Sequence, residues 1–170
     1  MTSVREIRRR KTVIQSTAQI IRGMKLIATV RLTKDRARAE AFRPYFEELR
    51  GMGAMVLEER EWPEERKGPA GIVAFTSNRG LAGGYSQQIV RMIAGDGRFL
   101  PGTAVVYAVG KRGRDSLAAM GYEIRGDYSE AGERPDGVFA EKLAGRLLED
   151  YEAGEIGEIY LAYTVFRNAV

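Results

Sequence analysis

The stretch Ser77-Asn78-Arg79-Gly80-Leu81-Ala82-Gly83-Gly84-Tyr85 holds the residue types from which phosphate-binding loops are made. It also lies where such loops sit, between an apolar run and a helical pattern. Its spacing fits neither phosphate motif, because the dinucleotide fingerprint needs its first two glycines one residue apart and the P-loop ends in Gly-Lys-Ser or Gly-Lys-Thr. Gly110-Lys111 is followed by Arg112, with no glycine five residues before Gly110, so it fails as a P-loop too. A tight turn that exposes backbone to a protein partner accounts for the glycines better than nucleotide binding does. Gly84-Tyr85-Ser86 begins like a nucleophile elbow, but the closing glycine is missing and the sequence contains no histidine, which excludes a Ser-His triad. The lack of cysteine excludes thiolate metal sites, cysteine nucleophiles and disulfides. Glu58, Glu59, Glu61, Glu64 and Glu65 invite a metal or acid–base reading, yet they alternate with Arg60, Arg66 and Lys67 and read as a solvated linker. No catalytic, cofactor-binding or metal-binding residue is expected.

The elements that would carry these residues begin with an unusually long helix, from Ser3 to about Arg60. Ser3-Val4-Arg5-Glu6 has the capping-box arrangement, in which hydroxyl and carboxylate each satisfy a free amide. Ile7, Ile14, Ile21 and Ala28 then repeat every seven residues, flanked by Val13, Ile20 and Ile27 on one side and Thr17 and Met24 on the other. That is the pattern of a coiled-coil seam. The stripe fades through Arg31 to Arg38 and returns as Phe42, Tyr45, Phe46, Leu49, Met52 and Val56. Pro44 removes one hydrogen bond and is expected to bend the rod locally without ending it. At about 1.5 Å per residue the rod would be roughly 85 Å long, too long for the rest of the chain to bury its seam.

Charge divides the chain at the same place. Residues 1–50 contain 13 Lys and Arg against 5 Asp and Glu, and residues 51–170 contain 14 against 18, so the basicity belongs to the helix. Arg5, Arg8, Arg9, Arg10 and Lys11 form a cluster that reads equally as a solvated face or as a contact for an acidic protein. Nucleic acid ranks below both, since the isoleucine seam beside the cluster already demands a helical partner. No apolar run approaches the roughly 18 residues that cross a bilayer. The chain is expected to be soluble and intracellular, reaching a membrane only through a complex.

Three segments are expected: a shaft helix over 1–60, a linker over 61–71, and an α/β domain over 72–170. Ile72 to Thr76, Thr103 to Val109, a short run at Tyr122 to Ile124, and Ile156 to Phe166 read as strands. Helical spacing appears in Tyr85, Ile89, Met92 and Ile93, in Lys111 to Met120, and after Pro135-Asp136 in Phe139, Leu143, Leu147 and Tyr151. Such alternation implies an α/β fold with a mostly parallel sheet and helices packed on it.

Four blocks taken in order resemble the gamma subunit of F-type ATP synthases: Ser3 to Arg10; Ile20-Ile21-Arg22-Gly23-Met24-Lys25-Leu26-Ile27-Ala28; Arg43-Pro44-Tyr45; and Gly80 to Tyr85. The resemblance continues through Val109 to Asp115 and Ile159 to Asn168. It implies a long coiled-coil helix followed by a Rossmann-like domain, truncated at its C-terminal side, because that family runs on through a second shaft helix. It implies a non-catalytic central-stalk rotor, without cofactor, that couples proton translocation to ATP synthesis or hydrolysis. Its implied partners are the alpha and beta subunits of the catalytic ring, the epsilon subunit and the membrane c-ring, at the cytoplasmic face of the cell membrane. Carried over residue by residue, Met24 and Lys25, and the loop Gly80, Leu81, Ala82, Gly83 and Gly84, match parts that meet the acidic lever of the beta subunit. Ala82 stands where that family commonly has cysteine. A small nucleotide-binding regulator and a basic coiled-coil adaptor are the alternative readings.

Overall fold

The computed structural model describes residues 4–58, 68–131 and 136–165. The chain forms two compact units, Met1–Trp62 and Pro63–Val170.

The first unit is one helix, α1 (Val4–Glu58), of 55 residues, continuous through Pro44. At about 1.5 Å per residue it is roughly 80 Å long. The hydroxyls of Thr12, Thr17, Thr29 and Thr33 each donate to the carbonyl four residues earlier, so these side chains share the helix's own acceptors without breaking it. Glu6 pairs with Arg10 at 3.0 Å and Arg36 with Glu40 at 2.7 Å, both at i,i+4 spacing. Ser3, the other half of the expected capping box, lies outside the described residues. Ile7, Ile14, Ile21 and Met24 are all exposed, Ile14 to 67%, and Phe42, Tyr45 and Phe46 likewise. The apolar stripe of this long helix therefore lies on its surface, whereas tertiary packing supplies most helical stability in proteins.

The second unit runs β1 (Ala70–Phe75), α2 (Tyr85–Gly95), β2 (Ala104–Val109), α3 (Lys111–Ala119), β3 (Glu123–Asp127), α4 (Gly137–Glu152) and β4 (Glu158–Ala162). The four strands are parallel and ordered β3-β2-β1-β4, so the chain steps outward to β3 and then crosses back beyond β1. Ile72 sits between Val106 and Tyr160 in this register. The inner strands β1 and β2 are apolar on both faces because both faces are covered. Ile72, Ala74, Val106 and Ala108 pack with Ile89, Val90 and Ile93 of α2 and Leu117 of α3. On the other face Val73, Val105, Tyr107 and Val109 pack with Leu143 and Leu147 of α4.

The sequence places these elements correctly but misjudges several edges. β1 begins at Ala70, inside the expected linker, because the Ala70 N–H already donates to Thr103 O at 2.9 Å. Tyr122 precedes β3 and is buried, its hydroxyl donating to Phe99 O at 2.6 Å. β4 is shorter than the apolar run, since Ile156 is buried ahead of the strand, and Phe166 lies outside the described residues. Met92 is 55% exposed and Val90 takes the core position on α2. The acidic residues from Glu59 to Glu65 and the helix-opening Pro135 also lie outside the described residues.

One polar group is built into the core. Asp150 of α4, only 6% exposed, accepts the Tyr107 hydroxyl and Arg146 Nε, the latter at 3.0 Å. Burial alone would raise its pKa, but the hydrogen bonds from Tyr107 and Arg146, with the charges of Arg146 and Arg125, outweigh burial and hold it below the ordinary carboxylate value. The folded-state pKa is therefore depressed. Its contribution is complete above the unfolded value and is lost as pH falls below about 4. Asp150→Asn is expected to cost about 1–3 kcal/mol at neutral pH, with the gap from the parent closing on acidification; urea unfolding at pH 7 and pH 3 measures both.

Candidate partner-contact site

At the carboxyl end of the sheet, β1 and α3 approach so closely that hydrogen alone fits as the side chain. Gly110 has φ 125°, and a Cβ there would lie 2.1 Å from Thr76 O. A Cβ on Gly113 would lie 2.6 Å from both Thr76 Cγ2 and Oγ1. The glycines of Gly110-Lys111-Arg112-Gly113 therefore serve packing, not phosphate. In their place Thr76 Oγ1 donates to Gly110 O at 3.1 Å and accepts the Gly113 N–H at 2.9 Å.

The amides that a phosphate would need at the start of α3 are taken by the chain itself. Lys111 N–H donates to Asn78 Oδ1 at 2.9 Å, Arg112 N–H to Ser77 O at 3.0 Å, and Gly113 N–H to Thr76 Oγ1. Three consecutive amides are thus satisfied by three consecutive residues leaving β1. This is the physical reason that a sheet of nucleotide-binding topology offers no anion site at α3.

The loop beyond these contacts is closed at its neck and open at its tip. Ser86, buried at the start of α2, accepts the Ser77 N–H at 3.0 Å, and its Oγ lies 2.9 Å from Ser77 Oγ. Its role is to close the loop, a use the elbow-like triplet did not suggest. Gly80 to Gly84 all lie exposed. Leu81 has φ 59° and is 95% exposed, so a bulky apolar side chain is presented from a left-handed turn. Gly83 needs its glycine for φ 74°, whereas at Gly84 a Cβ would meet nothing within 4 Å, so the fold itself gives no reason for it to lack one. Gly80 lies against the Arg112 guanidinium, 3.0 Å from where its Cβ would stand.

Met24 and Lys25 belong to α1 and the loop to the α/β unit, so each set stands by itself. Met24 is 51% exposed, and Lys25 lies exposed beside it. A cleft of about 470 Å³ lies elsewhere, beyond β3, lined by Lys111, Arg114, Asp127, Ser129 and Lys142 among others. Arg114 there is already committed to Asp115 and Asp127 at 2.7 and 2.6 Å. Among the described residues no group of three or more acidic side chains is placed to hold a metal, and no helix is long and apolar enough to cross a membrane.

A sequence model of the ATP synthase family matches residues 3–170. The chain belongs to this ATP synthase family. Its relatives there are gamma chains: it is 42% identical to the ATP synthase gamma chain of Lachnoclostridium phytofermentans, across the whole of this chain and 60% of that protein. It is 35% identical to the gamma chain of Moorella thermoacetica, over 100% of this chain and 62% of the other. It is 32% identical to the sodium ion specific gamma chain of Acetobacterium woodii, over 99% and 57% respectively. The chain thus spans about three fifths of the length of these curated relatives.

For an ATP synthase gamma-family chain, the informative site residues that sequence reasoning missed are Thr76, Asn78 and Ser86. In the sequence Gly110 reads only as part of a failed P-loop, the close approach of Gly110 and Gly113 to Thr76 comes from the structure alone, and nothing in the order of residues points to Asn78. Leu81 carries a further expectation. Left-handed backbone costs a leucine about 1–2 kcal/mol, a penalty that asparagine largely escapes. Leu81→Asn should therefore leave the unfolding free energy unchanged or higher by up to about 1 kcal/mol, measured by urea denaturation, although it deletes a large apolar side chain.

Proposed function

We propose that this chain is a non-catalytic central-stalk rotor piece of an F-type ATP synthase, coupling proton translocation to ATP synthesis or hydrolysis by rotation inside the alpha–beta ring. The single observation that carries this reading is α1: 55 residues of helix whose heptad seam stands in solvent. A helix of that length serves to span a distance and to transmit force along it, and its seam calls for a second helix to wind against. The chain would lie at the cytoplasmic face of the cell membrane as a peripheral member of the complex, meeting the epsilon subunit and the c-ring at the foot of the shaft. The sodium ion specific relative makes the coupling ion a property to be measured in the assembled machine.

The two candidate contacts are assigned to the beta subunit. Lys25 offers a cation beside the apolar Met24, and Leu81 offers an apolar knob with Arg79 and Arg112 close by, so both suit an acidic surface with apolar gaps. The internally bonded amides of Lys111, Arg112 and Gly113 disfavour a phosphate at the start of α3, and the alternative of a nucleotide at the Gly80 loop is answered by calorimetry with ATP and NAD.

Mixing the 170-residue chain with purified alpha and beta subunits should give a complex on sizing, with or without an added second shaft helix. No association in either case would end the rotor reading. In a complete rotary complex Lys25→Glu should weaken coupling while thermal unfolding of the free chain stays unchanged, and Leu81→Asn should weaken ring binding by about tenfold, or ~1.4 kcal/mol. Full coupling in Lys25→Glu would remove Met24 and Lys25 from the interface.

A further inference from the structure

We propose that Asn78 is the positioning residue of the Gly80–Gly84 loop, joining the segments that follow β1, β2 and β3 so that Leu81 is held out at a fixed place. The importance of that place rests on reading the loop as a partner contact. The bonding itself does not.

A carboxamide accepts and donates at once, and Asn78 uses both capacities. Its Oδ1 takes the Lys111 N–H at 2.9 Å, and its Nδ2 donates to Ser129 O at 2.6 Å. Lys111 begins α3 just after β2, and Ser129 lies just after β3. One partly buried side chain thus ties three strand ends together, and it does so one residue before the exposed tip begins at Arg79.

Past Gly80, which lies against the Arg112 guanidinium, the tip has little packing of its own. Gly83 and Gly84 have nothing within 4 Å of where a Cβ would stand, and Leu81 is almost wholly in solvent. Yet Leu81 keeps a left-handed backbone that leucine rarely adopts, and such a conformation persists only where its surroundings over-determine it. The neck supplies such a constraint. Ser77, bonded to Ser86 and Arg112, fixes where the loop starts and returns, and Asn78 fixes the direction in which it leaves.

The test compares Asn78→Ala, which loses both bonds, with Asn78→Asp, which keeps the acceptor for Lys111 N–H and loses the donor to Ser129. In the full 170-residue chain, hydrogen–deuterium exchange across Arg79–Gly84 and tryptic cleavage after Arg79 should each speed up by about tenfold in Asn78→Ala. Exchange in β1 and β2 should stay at the parent rate. Asn78→Asp should show the same localised effect and carries the test if Asn78→Ala does not fold. Acceleration spread evenly through the sheet would make Asn78 an ordinary stabilising residue and overturn the proposal. So would an unchanged tip in both variants. Because these readouts need no partner, they are independent of the rotor reading: a loosened tip with undiminished ring binding would support the role of Asn78 and remove the loop from the interface.

Discussion

Thr76 sits in a space that exists only because residues 110 and 113 have no side chain. That close approach of β1 to the start of α3 sets the arrangement of the whole carboxyl end of the sheet. It brings the backbone of Ser77 and the side chain of Asn78 within hydrogen-bonding range of the first α3 amides. Those amides are thereby satisfied without water or ligand, which lets the helix start be partly buried. It also fixes the neck of the loop between β1 and α2, since Ser77 is held from one side by Arg112 and from the other by Ser86. The tip, Gly80 to Gly84, is what remains once the neck is spoken for.

The two units obey different energetic rules. In the α/β unit each inner-strand side chain finds a helix, and Asp150, the most deeply placed charge of α4, is met by Tyr107 and Arg146. α1 satisfies its backbone internally but leaves its apolar seam in solvent. Burying Ile7, Ile14, Ile21 and Met24 against another helix would contribute on the order of 6–10 kcal/mol, comparable with the whole stability of a small domain. Such a helix is ordered as a structural element before it is complete as a packed one.

Much of this was legible in the residues. Heptad spacing from Ile7 to Ala28 and alternating apolar runs gave the long helix and the order of strands and helices, because burial on one stripe or on both sheet faces leaves a periodic mark. Strand ends were less legible, since Ala70 joins β1 through its backbone and Ile156 is buried without being in a strand. The site was legible only as glycines. That Gly110 and Gly113 answer to Thr76, and that Asn78 reaches Ser129 fifty-one residues on, depends on contacts between segments distant in sequence. The left-handed turn at Leu81 runs against the preference of its residue type, and local propensity is bound to miss it.

The candidate contacts share a chemistry although they come from unrelated elements. On α1 an exposed methionine adjoins an exposed lysine, and on the loop an exposed leucine is flanked by Arg79 and by the Arg112 guanidinium against Gly80. From Thr76 to Gly95 there is no acidic residue at all. The nearest carboxylates along α3 and β3, Asp115 and Asp127, are already neutralised by Arg114. A partner reading either contact would therefore need carboxylates spaced around an apolar gap.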